Sequence, residues 1–208
     1  MLKLPPPPRI AQLQEITPSL QVLPAGTDLW RLYRRGGNYP TEWNEFRSYG
    51  PLAFRFDHHT QPKREQGRAI LYAATLGPTC VAEVFQDTRL IDRWDRDPWL
   101  VGFSLRANLD LLDLTGLWPV QAKASMEINS SPARGRTRHW SRNVYRAYPN
   151  IAGLWYASSM YGNQPAVALY ERARHALPPL PFYHESLAHP DLLVPLQNVA
   201  RDICYDLL

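Results

Sequence analysis

One strand-turn-helix unit in the first half of the chain constrains the fold more than any other feature. Residues 69–75 form a compact apolar run bounded by turn residues, which is typical of a buried strand. A Gly-Pro pair follows at 77–78, and proline is tolerated at the first position of a helix. Val81, Val84 and Phe85 then recur at helical spacing. The sequence therefore predicts a buried strand that leads directly into a helix with an apolar stripe.

The other predicted elements intermix strands and helices without a regular alternation. Strands are expected at residues 28–34, 52–56, 99–105, 109–114, 151–156 and 166–170, and a helix is expected at residues 137–148. Residues 118–136 indicate a helix followed by a mobile loop, and residues 195–208 indicate a closing helix or strand. No repeat is present. We therefore predict an α+β fold in which mixed sheets are flanked by helices.

The first 27 residues differ from the rest of the chain in their proline content. Four prolines occupy positions 5–8, and two more occur at positions 18 and 24, which favours extended backbone. A chain of 208 residues suits one domain with a sizeable core, whereas two full domains would be cramped. We predict an extended arm over residues 1–27, with one short helical turn, and a single domain over residues 28–208.

Apolar runs and cysteines bear on the compartment. No apolar run approaches the roughly 20 residues that a membrane span needs, and residues 1–8 lack the apolar core of a signal peptide. Cys80 and Cys204 are the only cysteines, and neither lies in a metal-binding or disulfide-like spacing, so both are expected as free thiols. These features predict a cytoplasmic protein that does not associate with membranes.

The net charge of +4 comes from 23 basic and 19 acidic residues. This excess suits an acidic partner or a ligand that carries phosphate. By itself it does not argue for nucleic-acid binding, and we expect none that is direct. A nucleic-acid-cleaving enzyme would be favoured only by the isoelectric point of about 9.2.

Several motifs that would define a cofactor or metal site are absent from the sequence. It contains no P-loop, no GxGxxG, no GxSxG and no HExxH. The adjacent residues His58 and His59 could not both face one metal ion from a regular strand, because neighbours on a strand point to opposite faces. We therefore expect no metal site and no bound prosthetic group.

Four segments in order carry a family resemblance: residues 29–31, residues 54–57, residues 70–74 with 82–84, and residues 153–159. Together they resemble the RES domain, which is named for its Arg, Glu and Ser, over about residues 28–175. Tyr72 and Glu83 lie eleven residues apart within the strand-then-helix unit, and this spacing is the most specific part of the resemblance.

The resemblance implies both a fold and an activity. RES domains are similar in fold to ADP-ribosyltransferases and include toxins of toxin–antitoxin pairs. Such toxins break the nicotinamide–ribose bond of NAD⁺ by phosphorolysis or hydrolysis, or they transfer ADP-ribose to a protein. The implied substrates are NAD⁺ and phosphate. The implied partner is an Xre-like antitoxin that blocks the active cleft and forms a hetero-oligomer with the toxin.

The resemblance also implies which residues form the site. Arg31, Tyr72 and Glu83 correspond to the catalytic residues, and Arg31, Arg55, Tyr72 and Ser158 correspond to residues that bind NAD⁺. Many relatives carry an Arg immediately before the family Ser, where this chain has Ala, and a second serine follows directly. The resemblance therefore leaves Ser158 and Ser159 as alternatives for the family serine.

A carboxylate has a clear chemical reason to lie at such a site. Positive charge develops on the ribose carbon as neutral nicotinamide leaves, and a nearby carboxylate stabilises that charge. Glu83 lies off the apolar stripe, and the pattern sets it near the start of its helix. The alternative is a solvated glutamate in the first turn, which the helix dipole favours there.

A diphosphate without a glycine-rich loop needs side-chain donors, and Arg offers a planar bidentate fork. Arg31 and Arg55 are the candidates. Each could instead lie on an ordinary exposed face, which is the commoner position for arginine. Spacing alone does not exclude Arg34, Arg35 or Arg47 from the same role.

The two remaining candidates also have alternative interpretations. Tyr72 could stack on nicotinamide or could be a core aromatic whose hydroxyl has one partner. Ser158 could donate a hydrogen bond to the ligand or could form a turn at a strand end, and the sequence shows no base that would make it a nucleophile. A non-catalytic module that binds a protein through Trp and Tyr surfaces remains a further alternative.

Overall fold

The computed structural model describes residues 4–208, and its helices match most of the sequence pattern. The helices are α1 (Ile10–Gln14), α2 (Gly77–Val84), α3 (Trp118–Gln121), α4 (Arg134–Ala147) and α5 (Leu193–Ile203). Short 3-10 helices cover Met126–Asn129, Glu171–Ala176 and Pro190–Leu192. Within this part of the chain, no helix is both long enough and apolar enough to cross a membrane.

The strands form one large mixed sheet and one small parallel pair. They are β1 (Leu20–Leu23), β2 (Asp28–Arg34), β3 (Arg47–Gly50), β4 (Arg64–Ala74), β5 (Leu90–Ile91), β6 (Pro98–Ser104), β7 (Leu109–Asp113), β8 (Gly153–Ala157), β9 (Pro165–Tyr170), β10 (Tyr183–Ser186) and β11 (Asp206–Leu207). Within residues 4–208 the large sheet has nine strands in the order β1-β7-β8-β9-β4-β2-β6-β10, with β3 also paired to β4. Only β7 and β8 run parallel in it, and β5 pairs with β11 in parallel. The predicted α+β fold with a mixed sheet and flanking helices is confirmed.

The large sheet consists of two half-sheets that meet at a narrow junction. Strand β2 pairs with β6 over seven residues but with β4 at a single residue pair, Trp30 with Ala74. The larger half-sheet comprises β1, β7, β8, β9, β4 and β3, and the smaller half-sheet comprises β2, β6 and β10. Beyond the Trp30–Ala74 pair the two half-sheets are not joined by backbone pairing, which leaves room for side chains between them.

Each face of the sheet has its own apolar core. The first, called here the α2-side core, contains Leu32, Ile70, Val81 and Leu154 and lies under α2, α4 and α5. The second, called here the opposite core, contains Leu29, Tyr33, Leu71, Val101 and Leu169. Alternate residues along β2 and β4 enter the two cores, as the two-residue period of a strand requires. A residue's position in a strand therefore decides which of the two cores its side chain enters.

The expected strand at residues 52–56 is wrong. This segment is a turn, and side chains rather than a neighbouring strand satisfy its backbone. The amide of Leu52 donates to Asp57 Oδ2 at 2.6 Å, the amide of Phe56 donates to the Tyr72 hydroxyl at 3.2 Å, and the carbonyl of Phe56 accepts from Ser141 Oγ at 2.7 Å. The apolar residues around Phe56 resembled a strand in the sequence, but a turn can also bury one aromatic ring, and here it buries Phe56.

The N-terminal and C-terminal segments differ in part from expectation. The predicted helical turn exists as α1, but residues 20–23 form an edge strand on β7, and the fully buried Leu13 joins the α2-side core. The described part of the predicted arm therefore packs onto the domain. At the other end, helix and strand both occur, as α5 and β11. Residues 118–136 hold the short α3 and a 3-10 helix, and the long α4 begins before residue 137.

Candidate functional site

Helix α2 lies on the α2-side core and carries Glu83 in its last turn. The helix begins at Gly77, against the ring of Trp30 on β2, and the Cys80 thiol donates to the carbonyl of Trp30 at 3.0 Å. Burial raises the pKa of Cys80 to about 12, which leaves it a neutral, unreactive thiol. Because the helix ends at Val84, the expectation that Glu83 lies near the helix start is wrong. The dipole at this end does not favour a carboxylate, so the first-turn explanation of Glu83 no longer applies.

The side chain of Glu83 is held by a serine that follows a strand of the larger half-sheet. Ser158 follows the end of β8, is fully buried, and donates from its Oγ to Glu83 Oε1 at 2.5 Å. The same Oγ accepts from the amide of Met160 at 3.2 Å, so the hydroxyl direction is fixed. Ser159 is exposed. Of the two alternative serines, Ser158 is the one that contacts Glu83.

Tyr72 lies in β4 on the same face of the sheet as Glu83. Its hydroxyl accepts from the amide of Phe56 at 3.2 Å, and its ring lies 5.8 Å from the ring of Phe54. Burial, and second the charge of Asp57, raise the pKa of Tyr72. The hydroxyl is therefore a neutral group that fixes the 52–56 turn, and the half-exposed Phe54 ring extends the aromatic surface outward.

Arg55 projects from that turn toward the same cluster. Its guanidinium donates from Nη1 to the carbonyl of Ser131 at 2.6 Å. Burial, and next the charge of Arg134, lower the pKa of Arg55, while Glu83 and Tyr156 raise it. Arg55 is therefore within electrostatic range of Glu83, Tyr156 and Arg134. Two guanidinium groups and one carboxylate thus influence one another electrostatically.

Three residues of this region were not singled out by the sequence. Arg134 is the first residue of α4 and donates from Nη2 to Gln86 Oε1 at 3.0 Å, while the Gln86 amide donates to the Glu83 carbonyl at 2.6 Å. Tyr156 is buried in β8 with its ring 4.9 Å from that of Phe56. Tyr156 lies inside one of the family-like segments, which was a usable signal. Arg134 lies in a stretch expected to be a loop, where its neighbours gave no indication of its position.

Arg31 lies apart from this cluster. It alternates with Trp30 along β2, pairs with Val101 of β6, and so faces the opposite core. Its Nη1 donates to two loop carbonyls, those of Trp43 at 2.7 Å and Glu45 at 2.9 Å. Burial lowers the pKa of Arg31 to about 10, with Glu45 the largest influence that raises it. In this structure Arg31 anchors the loop before β3, and it is not brought together with Glu83.

The other arginines that spacing left open also have defined positions. Arg34 lies on the α2 side, with its guanidinium 5.8 Å from the Phe85 ring and 3.6 Å from Asp95. Arg35 covers the ring of Trp99 at 4.5 Å. Arg47 forms an ion pair with Asp57 at 2.9 Å. Each therefore has an aromatic or acidic partner outside the Glu83 cluster.

His58 and His59 are both fully buried beside the turn with their rings 5.3 Å apart, yet their other contacts differ. His59 contacts Asp57 Oδ1 through Nδ1 at 2.6 Å and the carbonyl of Arg68 through Nε2 at 3.0 Å. His58 stacks on Tyr145 at 4.4 Å. Within residues 4–208, no group of three or more His, Cys, Asp or Glu side chains is arranged to hold a metal ion.

Comparison with known proteins gives a family and a fold. The family model described as the RES domain matches residues 28–190. No curated protein sequence matches the chain. Among solved structures, a chain in the crystal structure of the M. tuberculosis MbcT–MbcA toxin–antitoxin complex matches with a TM-score of 0.59 and 12% identity. The match covers 91% of this chain and 97% of that chain, and at this identity it shows a shared fold.

Proposed function

The chain belongs to the RES-domain family, and from that premise we propose that it cleaves the nicotinamide–ribose bond of NAD⁺ as the toxin of a toxin–antitoxin pair. The observation that supports the proposal most directly is the Glu83 carboxylate, which Ser158 fixes and which lies within electrostatic range of Arg55. A carboxylate and arginines in one cluster suit a substrate that is anionic at its diphosphate and becomes cationic at its ribose.

Glu83 has the electrostatic role in this proposal. The bond between the ribose carbon and the pyridinium nitrogen breaks, its electron pair goes to that nitrogen, and nicotinamide leaves as a neutral molecule. The cation left on the ribose is stabilised by the carboxylate of Glu83. An oxygen of water or phosphate then forms the new bond to the ribosyl carbon, and a proton goes to solvent when water reacts. Ser158 keeps the carboxylate oriented, because its hydroxyl is fixed from both sides.

Arg55 and Arg134 are the proposed partners of the diphosphate. Neither forms an ion pair with an acidic side chain of the described residues, so each can engage an anion. Guanidinium groups bind phosphate oxygens in bidentate geometry. Tyr72 and Phe54 offer ring surfaces on which the nicotinamide can stack. Arg31 has an indirect part, because it holds the loop next to β2 in place.

Hydrolysis, phosphorolysis and ADP-ribosylation differ in the group that attacks the ribosyl carbon, so the assay varies this nucleophile. Purified chain is incubated with NAD⁺ with and without phosphate, and nicotinamide and ribosyl products are separated by chromatography. We expect loss of NAD⁺ both with and without phosphate, and a ribosyl phosphate product if phosphate is the nucleophile. A lysate with tagged NAD⁺ tests the alternative, mono-ADP-ribosylation of a host protein. If neither NAD⁺ loss nor tagged protein is found, the proposed function is wrong and a binding module becomes the better account.

The proposal includes an inhibitory partner in the cytoplasm, where the NAD⁺ pool is located. The similar solved structure is a toxin–antitoxin complex, and a chain that consumes NAD⁺ would harm its own cell if it were not blocked. We propose an Xre-like antitoxin that occupies the cleft and pairs acidic groups with Arg55 or Arg134. Expression of the chain alone should arrest growth, and co-expression with a neighbouring Xre-like gene should restore it. A folded chain that is harmless at high expression contradicts this part of the proposal.

A further inference from the structure

A second basic site lies on the α4 surface, next to the cluster around Glu83. A cavity of about 460 Å³ is lined by Pro51, Thr60, Gln61, Gly135, Arg138 and Arg142. Residues 134, 138 and 142 are spaced by four, so their side chains lie along one face of α4. The row of arginines therefore starts at the Glu83 cluster and ends in this cavity. Its lining contains no acidic side chain.

The positive charge in this cavity is poorly compensated. Among the ion pairs formed within residues 4–208, none involves Arg138 or Arg142. Burial, and next the charge of Arg138, lower the pKa of Arg142, and Asp57 is the acid that opposes them. Asp57 is already bound by Arg47 at 2.9 Å and by His59 at 2.6 Å. Half-buried cations without a free counter-charge favour the binding of an anion.

Hydrogen-bond donors also remain available in the cavity. Arg138 donates through Nη1 to the carbonyl of Leu52 at 3.1 Å, which holds its guanidinium in place and leaves its other N–H groups open. Arg142 donates no hydrogen bond to any residue from 4 to 208. Gly135 lies in the first turn of α4, where the helix dipole gives partial positive charge, although the amides of residues 134, 136 and 137 already donate to backbone carbonyls. All three features attract an anion, and the volume suits a small molecule.

We propose that this cavity binds the phosphate group of a small molecule, with Arg138 and Arg142 as its guanidinium partners. Two sources supply the same chemistry. One is free orthophosphate, and the other is an additional phosphate on the adenosine ribose of the dinucleotide, as in NADP⁺. The site itself stands without NAD⁺ cleavage, and only the second source rests on the proposed function.

Calorimetric titration with sodium phosphate, against sodium chloride at equal ionic strength, tests the site. We expect saturable phosphate binding by the unmodified chain and binding weaker by roughly tenfold or more in Arg142→Gln, because one charge-assisted contact is lost. The matched control is Arg146→Gln, an exposed arginine one turn further along α4, which should bind phosphate as the unmodified chain does. Arg138→Gln gives a second test. If the Arg138→Gln variant unfolds because it loses the contact with the Leu52 carbonyl, the result with Arg142→Gln alone decides.

The source is identified with a chain whose turnover of the dinucleotide is expected to be strongly reduced, so that binding can be measured before much of the dinucleotide is consumed. In the Glu83→Gln background, NAD⁺ and NADP⁺ are titrated with and without Arg142→Gln. Tighter binding of NADP⁺ that Arg142→Gln removes assigns the site to the dinucleotide, whereas equal affinities together with orthophosphate binding assign it to free phosphate. If neither phosphate nor NADP⁺ binds preferentially, or if Arg146→Gln weakens binding as much as Arg142→Gln, the proposal is overturned. Absence of NAD⁺ cleavage leaves the orthophosphate result intact, so the two failures are distinguishable.

Discussion

Replacing Glu83 with glutamine is the sharpest test of the proposed chemistry. The amide oxygen of glutamine can still accept the Ser158 hydroxyl that now lies 2.5 Å from Glu83 Oε1, so the local fold should persist and only the charge is removed. A unit charge about 4 Å from the developing cation is worth about 4 kcal/mol at an effective dielectric constant of 20. A barrier raised by about 3 to 4 kcal/mol lowers turnover by roughly two to three orders of magnitude.

The assay measures nicotinamide release at saturating NAD⁺, with NAD⁺ affinity determined separately by calorimetry. We expect Glu83→Gln to keep its melting temperature and nearly all of its NAD⁺ affinity while turnover collapses. Glu15→Gln is the control, because Glu15 is exposed at the end of α1. Turnover within about threefold of the unmodified chain, or an affinity loss as large as the turnover loss, would refute the electrostatic role of Glu83.

Three further substitutions test other parts of the molecule. Ser158→Ala should lower NAD⁺ turnover roughly tenfold, because the Glu83 carboxylate loses its fixed donor, whereas Ser159→Ala should not, and equal losses would contradict this. Arg31→Ala should lower the calorimetric melting temperature by roughly 6–12 °C, since two charge-assisted bonds worth about 3 kcal/mol are lost. An unchanged melting temperature with weaker NAD⁺ binding would instead make Arg31 a ligand contact. Burial lowers the pKa of His58 from 6.5 to about 4. The unfolded chain therefore gains a proton first as pH falls through that window, and roughly 3 kcal/mol of stability is lost there. His58→Phe should flatten this loss in urea titrations at about pH 7 and about pH 4.5, and an unchanged slope would exclude His58.

The strand-turn-helix unit could be predicted because its signals are local. An apolar run, a proline at the helix start and helical spacing each act over a few residues, and β4 and α2 form where these signals lie. The turn at residues 52–56 could not be predicted in the same way. Its backbone partners are side chains from distant positions, Tyr72 and Ser141, and single-sequence periodicity carries no record of such contacts.

The same distinction applies to the candidate site. Tyr72, Glu83 and Ser158 could be named from motifs, and the structure brings Ser158 and Glu83 into contact. Arg31 shows what a motif cannot predict, because a motif specifies a residue type but not the face of the sheet on which the side chain lies. Whether Arg31 faces α2 depends on the register between β2 and β6, which is a long-range property. Arg134 escaped notice for a related reason, since α4 begins earlier than its periodicity indicates.

The narrow junction between the half-sheets gives α2 an unusual mechanical position. Backbone pairing joins the halves at one residue pair, while α2 is tied to β2 near its start and to the end of β8 through Glu83. Helix α2 thus bridges the two half-sheets, and the position of the Glu83 carboxylate depends on how the half-sheets are aligned. A molecule wedged between the halves could shift Glu83 away from Ser158 without touching either residue. An inhibitor of the proposed activity therefore does not need to resemble the proposed substrate.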